Sequence, residues 1–148
     1  MQQEENASLC KAIGLTSKLL GIYINDNLQM EGIKLTRNQF LVLKILSSRD
    51  GICQNELAFI TERDKTSLTR LISTLESKGM VTRETAIDDK RKKIILITEL
   101  GTKTVTNAWP LMKKLEEEVS RDVSYDDLQK LLSVLNKIQA NVLSLETV

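Results

Sequence analysis

The sequence predicts a mainly α fold with a small antiparallel β-hairpin, an α+β arrangement, on three observations. Apolar residues recur at steps of three and four through most of the 148-residue chain, the period of helices with one buried face. That period gives way once, between Met80 and Thr98, to two short runs around a charged turn at Ala86 to Lys92, the pattern of a hairpin. One Pro and six Gly are too few for long structureless linkers.

The first helix is expected from about Ala7 to Gln29 and carries Leu9, Ile13, Leu19, Leu20, Ile22, Tyr23, Ile24 and Leu28. Apolar residues nearly surround it from Leu19 onward, which calls for more than one packing partner. Gly32 ends it. Thr36 opens the second helix as N-cap, with Gln39 completing a capping box three residues on. Phe40, Leu43, Ile45 and Leu46 face inward, and Arg49-Asp50-Gly51 makes a turn. A short third helix begins at Gln54 and packs Leu57, Ala58 and Ile60 against the fourth; Thr61 to Asp64 form the turn between them.

The fourth helix, 64–78, has Asp64 as its cap, and Leu68, Leu71, Ile72 and Leu75 fall on one stripe. Gly79 stops it in the position that tolerates left-handed geometry. Met80 to Thr85 and Lys93 to Thr98 read as antiparallel strands. Thr98 caps a long helix reaching roughly to Arg121, with a narrow seam at Val105, Ala108, Met112, Leu115 and Val119. Pro110 lacks the donor that would reach the Thr106 carbonyl, so a kink is expected near Trp109. Ser124, with Asp127 three residues later, restarts the helix. Leu128, Leu131, Leu135, Ile138, Val142 and Leu145 follow heptad-like steps with Leu132 beside them. Such a stripe needs a partner helix, within the chain or from a second copy.

Composition removes whole classes of chemistry. No histidine occurs, so Ser-His-Asp and Cys-His catalysis are excluded and the commonest metal ligand is missing. Cys10 and Cys53 stand far apart in sequence and make no zinc motif; both read as buried, inert thiols. There is no phosphate-cradling Gly-rich loop and no paired acid/base constellation. An enzyme, a metal site and a cofactor are therefore not expected. The opening MQQEENASL lacks a signal peptide's regions, and no apolar run approaches the ~20 residues of a membrane span, so a cytoplasmic location with no membrane partner is expected.

Charge is uneven. The chain as a whole carries +1, but residues 63–93 hold nine Lys/Arg against five Asp/Glu. Local positive charge is what phosphate contact requires. On the fourth helix the face opposite the apolar stripe holds Thr66, Arg70, Ser73 and Ser77, with Thr69 on its flank. Ser and Thr bond phosphates or base edges, and Arg grips guanine bidentately. Thr66, Thr69, Arg70 and Ser73 are therefore the base-reading candidates, and Lys65 and Ser67, at the positive end of the helix dipole, the phosphate-contact candidates. A winged helix-turn-helix that lays this helix in a major groove and reaches the hairpin toward the minor groove is the expected use. The bland alternative is an amphipathic helix with a solvated face and a soluble hairpin tip.

Leu35-Thr36 and Gln39, Glu56-Leu57-Ala58, Asp64-Lys65, Leu75 through Arg83, Asp88-Asp89-Lys90-Arg91 and Leu96 through Gly101 together resemble the MarR family of transcriptional regulators. The match is ordered along the chain and spans roughly residues 35 to 101. The resemblance implies a homodimeric, DNA-binding regulator, acting as a repressor on a pseudo-palindromic promoter site. Residues 1–34 then form an N-terminal helix of the dimerisation region, 35–99 the winged helix-turn-helix region (helix-turn-helix 53–78, wing 80–98), and 100–148 the C-terminal helices that complete the dimerisation region, all in one compact single-domain chain. It also implies that Arg91 enters the minor groove, oriented by Asp89, with Lys90 and Lys92 beside it, and that Arg37 and Asn38 meet the DNA backbone. Relatives respond to small aromatic effectors or oxidants. An effector crevice between the dimer helices and the winged region would be lined by Leu19, Tyr23, Trp109 and Met112, residues that plain packing also explains. Cys10 lies in the helix where peroxide-sensing relatives carry a reactive cysteine, although its spacing to Gln39 differs from theirs. A protein-binding winged helix and an effector-independent regulator are the alternatives.

Overall fold

The computed structural model describes residues 2–61 and 64–146. Element order is α1 (Gln2–Met30), α2 (Arg37–Ser48), β1 (Ile52–Cys53), α3 (Gln54–Ile60), α4 (Lys65–Ser77), β2 (Val81–Thr85), β3 (Lys93–Ile97), α5 (Glu99–Val119) and α6 (Tyr125–Glu146). Contacts cluster in two units, residues 1–113 and 114–148.

In the first unit the helix boundaries follow the expected caps. Gly32 takes a positive φ of 71°, and the N–H groups of Gly32 and Ile33 close α1 on the carbonyls of Gln29 and Leu28. The Thr36–Gln39 capping box is made in both directions, at 3.2 and 3.1 Å. Gly79 (φ 75°) turns the chain out of α4 and into β2, as its position predicts.

The expected hairpin is present, with Val81 opposite Ile97, Arg83 opposite Ile95 and Thr85 opposite Lys93. It is extended by β1, which the sequence reading leaves as turn and helix start. The sheet order is β1-β3-β2, with Ile52 opposite Ile95. Asp50 secures this edge, its carboxylate accepting from Gly51 N–H at 3.0 Å and from Ile97 N–H at 2.9 Å. A two-residue strand held by a contact 47 positions away leaves no local periodicity to read.

Around this sheet one apolar core joins α2 (Phe40, Val42, Leu43, Leu46), α3 (Leu57, Ala58), α4 (Leu68, Ile72, Leu75), the strands (Val81, Ile95) and α5 (Val105, Ala108). The start of α5 is fastened to the sheet. Thr98 donates its N–H to the Met80 carbonyl and its hydroxyl to that of Gly79, and its Oγ1 accepts from Gly101 N–H. A Cβ at Gly101 would stand 2.3 Å from the Met80 carbonyl oxygen, so only glycine lets the helix approach this closely. The helix runs unbroken through Pro110. In the second unit α6 begins as expected, with Ser124 accepting from Asp127 N–H at 3.1 Å. Leu131, Leu132, Val142 and Leu145 on α6 are exposed, and Leu128, Leu135 and Ile138 are half-buried.

Candidate nucleic-acid interface

The fourth helix is oriented by its cap and its core. Leu68, Ile72 and Leu75 are fully buried, which turns the opposite, hydroxyl-bearing face outward. Asp64 takes the N-cap geometry and accepts from the Ser67 N–H at 2.8 Å and the Ser67 hydroxyl at 2.9 Å. The backbone N–H of Ser67, then its hydroxyl, hold the Asp64 carboxyl below the usual carboxylate range. The turn expected at Thr61 to Asp64 includes Glu62 and Arg63, which lie outside the described residues.

Each predicted residue on α4 is now placed. Lys65, Thr66 and Arg70 are exposed. Ser67 is half-buried and committed to the cap. Thr69 is exposed but engaged twice, donating to the Lys65 carbonyl at 2.6 Å and accepting from Gln54 Nε2 at 2.9 Å. Gln54 thus ties α3 to α4 across the helix-turn-helix. The hydroxyl of Ser73 accepts from the Arg83 guanidinium of β2, and the Arg83 Nε lies 3.9 Å from a Glu76 carboxylate oxygen. Sequence reading passed over Arg83. The signal was the strand's two-residue period, which sets Arg83 on the side of buried Val81, toward α4.

The wing is a stapled loop. Ala86 N–H donates to the Lys92 carbonyl and Lys92 N–H to the Asp89 carbonyl, each at 3.0 Å. Asp89 also accepts from the Arg91 N–H at 2.9 Å through its carboxylate. The acidic residue therefore shapes the backbone that carries Arg91, and no ion pair joins the two side chains among the described residues. Lys90, Arg91 and Lys92 are exposed, as is the whole of Ile87. Lys93 leans back to the Thr85 hydroxyl at 3.0 Å.

At the start of α2, Arg37 is half-buried and Asn38 exposed. The resemblance implies that both meet the DNA backbone. The N–H groups of Thr36, Arg37 and Gln39 are already bonded, to Gln39, Asn25 and Thr36 respectively, which leaves the Asn38 N–H and the side chains of Arg37 and Asn38 for a phosphate contact.

Trp109 stacks on Phe40 with centroids 6.4 Å apart and lies under the Lys44 ammonium at 4.0 Å. A cavity of about 170 Å³ beside it is lined by Lys44, Ser47, Thr102, Val105, Thr106 and Trp109, and not by Leu19, Tyr23 or Met112. Leu19 is exposed, and Met112 packs on the core. The cysteines depart from the expected burial. Cys10 is exposed, as are residues 8–19 of α1 throughout, and Cys53 is half-buried. No cluster of three or more His, Cys, Asp or Glu able to hold a metal occurs among the described residues, and none of their helices is long and apolar enough to cross a membrane.

Comparison with known proteins agrees with this geometry. The MarR family model matches residues 35–93, which run from the start of α2 to the start of β3. The transcriptional regulator BldR from Sulfolobus solfataricus is 26% identical, with a TM-score of 0.83, covering 95% of this chain and 99% of its own. A mutant MarR from E. coli, solved with operator DNA, is 25% identical with a TM-score of 0.82, covering 90% and 95%. AbsC, a MarR family regulator from Streptomyces coelicolor, shares the fold at 24% identity and a TM-score of 0.83, covering 97% of each chain. Residues 35–93 thus match the MarR family model, and the fold built around them is shared along nearly the whole chain with winged helix-turn-helix transcriptional regulators of that family.

Proposed function

We propose that the chain binds duplex DNA as a homodimer and represses transcription from an imperfectly palindromic site. The observation that carries this reading is the pairing of α4, whose Leu68, Ile72 and Leu75 are fully buried while Thr66 and Arg70 stand exposed, with a neighbouring wing whose bonded tip displays Lys90, Arg91 and Lys92. The E. coli MarR relative is solved with operator DNA, and S. aureus MepR, 22% identical, with DNA. In this reading Arg70 and Thr66 meet base edges, and Lys65 and the side chains of Arg37 and Asn38 meet phosphates. Arg91 reads minor-groove width and potential.

The exposed leucines of α6 and the exposed apolar residues of α1 (Leu9, Ile13, Leu15, Leu19, Ile22) support a second copy as partner. Two copies of α4 must then sit about 34 Å apart to enter successive major grooves. A small aromatic acid completes the reading as an effector that favours one spacing of the two helices. Lys44 and Trp109 supply a cation and an aromatic wall for it beside the cavity they share.

Mobility-shift titrations test the DNA assignment. Log affinity should fall steeply with log salt, because phosphate contacts release counterions. Arg91→Ala should weaken all sequences alike, and Arg70→Ala should cost ~1–3 kcal/mol at one base position. A flat salt dependence with neither variant changed would point instead to a winged helix that binds another protein.

A further inference from the structure

Arg83 is the one described residue with a shielded side-chain nitrogen that lacks a hydrogen-bond partner. Its side chain is only 23% exposed, and its Nε, 3.9 Å from Glu76, is too far for a hydrogen bond. The guanidinium is drawn instead onto the Ser73 hydroxyl. A shielded donor without an acceptor is costly, and such a group in a folded protein calls for an explanation. Ser73 and Glu76 stand three residues apart on α4, on adjacent turns of one face. Arg83 lies in β2, the strand that leads into the wing, and is paired with buried Ile95 at the centre of the sheet. One planar fork therefore bridges the reading helix to the root of the hairpin.

Resting on the DNA-binding reading above, we propose that Arg83 is a positioning residue of that surface. Held on Ser73, its guanidinium sets α4 against the strand that aims the wing, and Ser73 is its anchor and not a reader of bases. A lysine cannot replace it. Lysine keeps the charge, but as a point charge on a flexible stem it has no rigid fork with which to register two elements.

The test is a set of duplex affinities for Ser73→Ala, Arg83→Ala, Arg83→Lys, the Ser73→Ala/Arg83→Ala pair and Arg83→Ala/Arg91→Ala, with wild type and Arg91→Ala as references. Each of the first three should lose about tenfold, the scale of one charge-assisted hydrogen bond. The loss should be uniform across base substitutions in the site. The Ser73/Arg83 pair should lose no more than either single change, and Arg91→Ala should cost less once Arg83 is gone. In the DNA-free protein, Ser73→Ala should shift the backbone amide NMR signals of residues 86–92.

Three outcomes overturn the proposal while leaving the DNA reading intact: a Ser73→Ala loss confined to one base position, full rescue by lysine (a plain phosphate contact), or wing amides unmoved by Ser73→Ala. A wild-type chain without affinity for any duplex overturns both.

Discussion

The helix α4 and the helix α6 carry similar apolar stripes and meet different fates. On α4, Leu68, Ile72 and Leu75 are fully buried in a core shared with α2, α3, the strands and α5. On α6, Leu131 and Leu132 keep 52% and 53% of their surface and Leu145 keeps 75%. A periodic stripe thus states that a face wants covering, and the fold decides whether the chain itself supplies the cover. On α4 the cover is internal, which fixes where the polar face points. On α6 it is incomplete, and the proposed second copy is what would finish it.

The sharpest way to break this contrast is to charge the α6 face. Leu131→Glu with Val142→Glu should yield a monomer in sedimentation and, by losing the second reading helix, weaken DNA binding by about 10²–10⁴-fold. A dimer that survives would move the interface elsewhere. The paired alanine test follows. Ile72→Ala should cost about 2–5 kcal/mol of unfolding free energy at every protein concentration. Leu131→Ala should instead act mainly through a concentration-dependent Tm. Chemical denaturation at two concentrations separates them.

Next in size, Gly101→Ala should destabilise by about 1–3 kcal/mol, since its new methyl meets the Met80 carbonyl; thermal melts would show whether α5 can shift to admit it. Smallest is the cap of α4. The Asp64 carboxyl, held low by Ser67, contributes fully above the ordinary carboxylate pKa. That contribution is lost as pH falls through the lower folded value. An NMR titration should place its midpoint below that of an unperturbed Asp, and Asp64→Asn should remove this part of the pH dependence.

The same contrast shows what could be read in the chain beforehand. The α4 stripe, both serine and threonine caps of α2 and α6, the stop at Gly79 and the bounds of the wing were legible because each depends on residues within one or two turns. The strand β1 was not, since two residues become a strand only through Ile95 and Asp50. Nor were the fates of the α4 hydroxyls. Ser67, Thr69 and Ser73 look equivalent in sequence, yet one is bound by the cap, one by Gln54 and one by Arg83. A hydroxyl's partner is set by whatever the tertiary fold brings near, so the proposed base readers narrow to Thr66 and Arg70 only once the neighbours are placed.

The central claim is that two copies of α4 act together on one duplex. Selection of bound duplexes from random sequence, followed by measurement of the bound mass, tests it most directly. The account predicts two chains per duplex and an enriched inverted repeat whose half-site centres lie about one helical turn, roughly 10 base pairs, apart. One chain per duplex on a site without that repeat, or no enrichment at low ionic strength, would contradict it.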